Sequence, residues 1–202
     1  MAYSDFKTIK HVKDKFPITV SSGSSLFADI APVTISGWLE ETLEDNVPLA
    51  LNINTEKARS EMIVAPVLIE TRKRLERQVS LFSGVDFTVD KDLGLSGYCD
   101  FILSNSPNQA FITAPVICMV EAKNESIHGG YGQCIAEMIA AQRFNKEESM
   151  PIETIWGVVT AGDTWKFLRL VGDHVSIDYN EYQISQIEKV LAILHHMLSM
   201  YL

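Results

Sequence analysis

Asp100 sits in the middle of an apolar run, GYCDFIL (97–103), and a second apolar run, VICMVEAK (116–123), carries Glu121 and Lys123 at its end. A carboxylate stripped of water without a partner is costly, so these charges need compensation. Side chains alternate faces along a strand, which puts Glu121 and Lys123 on one side. If the two runs are neighbouring strands, Asp100 and Glu121 meet at one end of a sheet beside the Lys123 ammonium. Glu61, arriving from a preceding helix, can add a third carboxylate. Two chemistries satisfy such a set. Carboxylate oxygens suit a hard divalent cation such as Mg2+, which keeps several waters for substrate chemistry. An ion pair of Lys123 with Glu121 or Asp100 compensates the same charges with no ligand at all, and spacing alone leaves both open.

The elements that must position these residues follow from periodicity. SSGSS (21–25), flanked by Pro17 and Pro32, reads as a loop between an N-terminal arm and the first helix. Ser36 caps a helix carrying Trp38, Leu39 and Leu43, expected to end before Pro48. A second helix is expected from about Thr55 to Val79, with Val64, Leu68, Leu75 and Val79 on one face and Pro66 kinking or restarting it. Strands are expected over 85–90, 98–104 and 115–123, and the glycine-rich ESIHGGYG (125–132) turns into a helix from about Gln133 to Asn145. Ala136, Ala140 and Ala141 recur on one face of that helix, which lets it approach a sheet closely. Two more strands, 154–162 and 164–171, precede a last helix from about Glu181, in which Ile187, Val190, Leu191, Leu194, Met197 and Leu198 keep a 3.6-residue rhythm. Trp165 and Phe167 read as strand residues packing on a helix.

Composition bounds the function. With 202 residues, 47% hydrophobic and 21% charged, the chain has the make-up of one globular domain with an N-terminal segment. No apolar run approaches the ~20 residues that span a bilayer, and MAYSDFKTIK has no apolar signal-peptide core. The expectation is a soluble, cytoplasmic protein with no membrane partner. Cys99, Cys118 and Cys134 are scattered, with no C-x-x-C pair, which points to reduced, buried thiols and away from a zinc site. A net charge of −9 argues against indiscriminate coating of nucleic acid. Locally, six basic residues face three acidic ones between Lys57 and Arg77. Arg72, Lys73, Arg74 and Arg77 read either as a solvated helix face or as a phosphate-facing rim. Lys7, Lys10, Lys13 and Lys15 can extend a basic edge.

The succession of Glu61, GYCDFIL, VEAK and a turn into a helix opening at Gln133 resembles the PD-(D/E)XK nuclease superfamily, whose signature is an acidic residue, a variable gap and an acidic-x-Lys triplet. The similarity covers roughly residues 55–171 and includes the helix-strand-strand-strand-helix-strand order of that fold. PVL (66–68) and TAGDTWKFLRL (160–170) also look like the N-terminal nuclease domains of type I restriction motor subunits. Cys99 stands where the family's nominal proline would precede Asp100.

The resemblance implies an α/β, restriction endonuclease-like core: a mixed central β-sheet flanked by helices, with N-terminal and C-terminal helical additions. Residues 1–54 would form an arm and helix packing on a nuclease-like unit of 55–202. It also implies that Asp100 and Glu121 bind Mg2+ or Mn2+, with Glu61 as a water-mediated ligand and the Ala122 carbonyl as a further one. Lys123 would orient or activate the attacking water, and Gln133 would position Lys123 or a phosphate. The implied activity is metal-dependent hydrolysis of phosphodiester bonds in nucleic acid, DNA in the first place. The rival is a catalytically silent nuclease fold used for binding or assembly. The apolar last helix also offers a face for a second copy, making a homodimer an expectation.

Overall fold

Every residue of Val116–Ala122 and of Thr154–Thr160 is buried, so both strands are covered on two faces and belong at the centre of a sheet. The computed structural model, which describes residues 1–124 and 126–202, places them there. In chain order the elements are α1 (Ile9–Lys15), β1 (Thr19–Ser21), α2 (Gly37–Ile53), α3 (Glu56–Arg59), α4 (Ala65–Arg74), β2 (Ser80–Asp86), β3 (Tyr98–Ser104) and β4 (Val116–Ala122). They continue with α5 (Tyr131–Glu147), β5 (Thr154–Thr160), β6 (Thr164–Val171), β7 (His174–Ile177), β8 (Tyr182–Gln183) and α6 (Ile187–Ser199). The sheet order is β1-β7-β6-β5-β4-β3-β2, with β8 beside β6. β4 and β5 are parallel, as are β1 and β7, and the other neighbours are antiparallel. The expected α/β class, a mixed sheet between helices, is the one observed.

Helix α5 is the crossover that a parallel β4–β5 pair requires. Ala136, Ala140 and Ala141 are fully buried, and Gly157 of β5 lets the helix settle close, since a Cβ there would lie 2.4 Å from Met138 Sδ. The N-terminal arm covers the outer side of α5. Phe6, Val12 and Phe16 join its core cluster, and a Cβ on Gly132 would lie 2.3 Å from the Phe6 carbonyl oxygen. On the opposite face α2, α4 and α6 pack around Leu39, Leu68, Trp165 and Leu194. The apolar stripe of α6 is thus spent on the chain's own core. No helix among the described residues is long and apolar enough to cross a membrane.

Several elements differ from the expectation. α2 runs through Pro48 to Ile53, because Leu39, Leu43 and Ala50 keep one face buried while Pro48 and the Glu44 carbonyl it leaves without a donor sit on the exposed side. The second helix stops at Arg74, where Glu76 (φ 52°) and Arg77 (φ 60°) turn left-handed. The strand expected over 85–90 lies at Ser80–Asp86, since Leu81 and Phe82 pair with Leu103 and Ile102. The last helix starts at Ile187, because Tyr182 first pairs with Trp165 in β8. α1, β1 and β7 had no counterpart in the sequence reading, and Glu125, the first residue of the glycine-rich turn, lies outside the described residues.

Pro66 is accommodated by a different device. Between α3 and α4 the helix loosens into a π-turn, Ser60–Val64, before continuing. Pro66 has no N–H for the Met62 carbonyl four residues earlier. The Asn46 side chain from α2 donates to that carbonyl at 2.9 Å. Replacing Asn46 by Leu leaves the carbonyl without its donor, so urea denaturation should show a loss of about 1–2 kcal/mol. An unchanged midpoint would mean that water serves the carbonyl equally well.

Candidate active site

The β3–β4 ladder ends at the Phe101–Val120 pair, while β3 continues to pair with β2 as far as Tyr98. The two strands therefore fork at Asp100. There the Asp100 Oδ2 accepts the Ala122 N–H at 2.7 Å, so a charged acceptor takes the place of a ladder carbonyl. β5 holds the other edge of β4: Ala122 stands opposite Thr160, and the Lys123 N–H donates to the Thr160 carbonyl at 2.7 Å. The sequence expectation that Asp100, Glu121 and Lys123 gather at one strand end is met in this geometry.

Glu121 points toward α5 and is 1% exposed. Its Oε1 pairs with the Lys123 ammonium. Its Oε2 accepts a hydrogen bond from Gln133 Nε2 at 2.9 Å, and the same amide donates to Glu137 Oε1 at 3.2 Å. Lys123 reaches Glu121 beneath the start of α5, where a Cβ on Gly130 would lie 3.3 Å from its Cγ and Cε. Glu137 was not anticipated. The signal was available, since a lone carboxylate in the apolar helical stretch QCIAEMIAA is as anomalous as Asp100 in its strand.

Two buried or half-buried carboxyls, Asp100 and Glu121, thus stand beside one ammonium, with Glu137 a third behind Gln133. Burial and the neighbouring Asp100 push Glu121 up to about 8, against the pull of Lys123. Burial and the Glu121 charge raise Glu137 well above the usual carboxylate range. Two carboxyl groups in contact need a proton between them. Carried by fully buried Glu137, it serves Glu121 and supplies a bond for Glu137 Oε2, which otherwise has no partner. Burial also raises Asp100, opposed by the Ala122 N–H and by Lys123. For Lys123, burial works downward but Glu121 more than reverses it, so its pKa stands above the ordinary lysine value. In this state Lys123 is an ammonium.

Asp100 and Ala122 form one wall of a cleft of about 290 Å³, with Ser83 on β2 and Glu56, Lys57 and Glu61 on the helix opposite. Glu61 is at the mouth: its side chain is 63% exposed and lies 3.7 Å from Lys57. Among the described residues no three of His, Cys, Asp and Glu stand close enough together to form a metal cage. The donor set still fits one hard cation held by the Asp100 and Glu121 carboxylates, with the Ala122 carbonyl and water completing its shell, because Mg2+ is commonly bound through one or two carboxylates. Such an ion would compete with Lys123 for Glu121 Oε1. Glu61 lines the same cleft from its mouth and joins no close three-carboxylate group among the described residues.

The structure does not bring Arg72, Lys73, Arg74 and Arg77 to the cleft. Arg72 lies eleven residues beyond Glu61, ~16 Å along the helix axis. Arg72 donates to the Val79 carbonyl, Lys73 covers the Trp38 ring at 3.4 Å and Arg74 pairs with Glu70 at 3.2 Å. No protein-family model, curated protein or solved structure matches this chain.

Glu137 holds a proton in the folded state that the unfolded chain releases near pH 4.5. Its contribution to stability is complete below that pH and is lost as pH rises toward the raised folded-state value of Glu137. Glu137→Gln keeps the neutral form at every pH. In chelator-treated protein, the variant's melting temperature should gain on wild type between pH 5 and pH 8. Parallel curves would show that Glu137 does not carry the proton.

Proposed function

We propose that the protein is a metal-dependent phosphodiesterase with a restriction endonuclease-like core, hydrolysing nucleic acid, with DNA as the first substrate to test. The observation that carries this reading is the fork at Asp100, which sets two carboxylates and an ammonium together at the end of the central strands. Bound by Asp100 and Glu121, Mg2+ or Mn2+ would lower the pKa of water and neutralise charge at a phosphate. The chain's own residues would do the rest. Lys123, tethered at Thr160, presents an ammonium that can donate to a phosphate oxygen or orient the attacking water. Gln133 fixes the Glu121 carboxylate, and Glu137 fixes Gln133. The buried strand ends behind them keep bulk water on the cleft side.

One observation favours a second reading, a nuclease fold used for binding or assembly. The Lys123 ammonium and the Glu121 carboxylate compensate each other's charge with no ligand at all.

Calorimetric titration with Mn2+, with and without a non-hydrolysable oligonucleotide, separates the two. Wild type should bind at one class of sites and the Asp100→Asn, Glu121→Gln double variant should not. Lys123→Gln should still bind Mn2+ while DNA cleavage falls by about 10²-fold or more. Wild type that binds no Mn2+ under either condition would leave only the binding-module reading.

A further inference from the structure

The N-terminal arm carries a second basic run, and its backbone crosses the start of α5 next to Gln133. Residues 1–15 hold four lysines against two aspartates in a chain of net charge −9. They are not a loose basic tail. Tyr3 donates its N–H to the Ser96 carbonyl (3.0 Å) and its hydroxyl to the Phe87 carbonyl (2.6 Å), and Phe6 and Val12 are buried. Beyond α1 the chain pairs with β7 through Thr19, Val20 and Ser21. Between these anchors the arm crosses the first turn of α5. The Thr8 backbone N and O each stand 2.8 Å from where a Gly132 Cβ would be, one residue from Gln133.

The backbone between Lys7 and Ile9 is therefore fixed against the first turn of α5, which carries Gln133, and Lys7, Lys10 and Lys13 lead away from it along α1 with exposed side chains. Among the described residues none of the three pairs with a carboxylate, whereas Lys57, Arg59, Arg74, Lys123, Arg143 and Lys166 all do. Lys15, by contrast, donates to the Asp92 carbonyl. The partly positive N-terminal end of α5 adds to the potential at the same place. Unpaired ammonium groups on a rigid strap, in an otherwise acidic molecule, suit a polyanion that passes the site.

We propose that Lys7, Lys10 and Lys13 form a phosphate-contacting rim that seats the backbone of the nucleic acid on the α5 side of the site. The rim gives affinity without reading sequence, because it meets phosphates and no base edges. This inference rests on the nuclease reading. It predicts that the salt dependence of binding resides in the arm.

Fluorescence anisotropy of a labelled DNA duplex, in chelator and over a series of salt concentrations, tests it with the full chain. Neutralising all three lysines (Lys7→Gln, Lys10→Gln, Lys13→Gln) should make the log–log salt slope shallower by about 2.7, roughly 0.9 for each phosphate that no longer meets an ammonium. Affinity at low salt should fall about tenfold or more, while Arg72→Gln, Lys73→Gln should leave both quantities as in wild type. Unchanged melting temperatures would exclude unfolding, as expected for exposed side chains. If wild type binds and the triple variant keeps its slope, the rim is wrong and the nuclease reading stands. If wild type binds no DNA, as duplex or single strand, the nucleic-acid reading fails and the rim with it.

Discussion

The parting of β3 from β4 at Asp100 is the constraint around which the centre of the molecule is arranged. A carboxylate takes the Ala122 N–H where a backbone carbonyl would ordinarily sit, so the sheet opens without stranding a buried donor. The opening has to be flanked by strands that stay closed. β2 continues on the far side of β3, and β5 runs parallel to β4 on the other, so the fork cannot spread. Ionisable groups can enter the interior at that point because each has been given a partner. Lys123 and Gln133 share Glu121, and Gln133 also meets Glu137.

The layers on either side serve this gap in different ways. α5 supplies the inner polar contacts and comes close enough to do so because Gly157, Ala136 and Ala140 present almost no bulk. The opposite helix supplies the mouth. Its π-turn at Ser60–Val64 rests on Asn46, and Arg59 ties it to the turn after β5 through the Ala161 carbonyl (2.8 Å) and Asp163 (3.2 Å). A local defect in hydrogen bonding, made necessary by Pro66, is thus absorbed by contacts from α2. Glu61 remains on the rim, in solvent.

Much of this was readable from the residues. The two charged anomalies in apolar strands pointed to Asp100, Glu121 and Lys123, because burial of charge has few solutions. The alanine spacing of α5 and the rhythm of α6 reported faces accurately. What failed was reading prolines as stops: Pro48 lies within α2, since one missing donor on an exposed face costs less than giving up Ala50 and the residues around it. Short strands such as β1 and β7 were invisible because their own patterns span only three or four residues, and the partner of β1 lies far off in sequence. Glu137 escaped because a helix interior was read for its alanines. Of the two readings of the basic run at 72–77, the contacts are those of a helix face, Arg74 with Glu70 and Lys73 on Trp38, since linear charge density says nothing of which end of a helix faces a cleft.

The arm described above has a bearing on how the chain reaches this state. β1 must find β7, 155 residues further along, and Phe6 and Thr8 must find the start of α5. Contacts of such long separation form after local ones, because closing a long loop is costly until both ends already have a surface to meet. The hairpins β2–β3–β4 and β5–β6–β7 and the crossover between them need only neighbours. The arm is therefore the last segment to be laid down, as a belt over a core already assembled. By the same argument it is the first to lift when the protein begins to open.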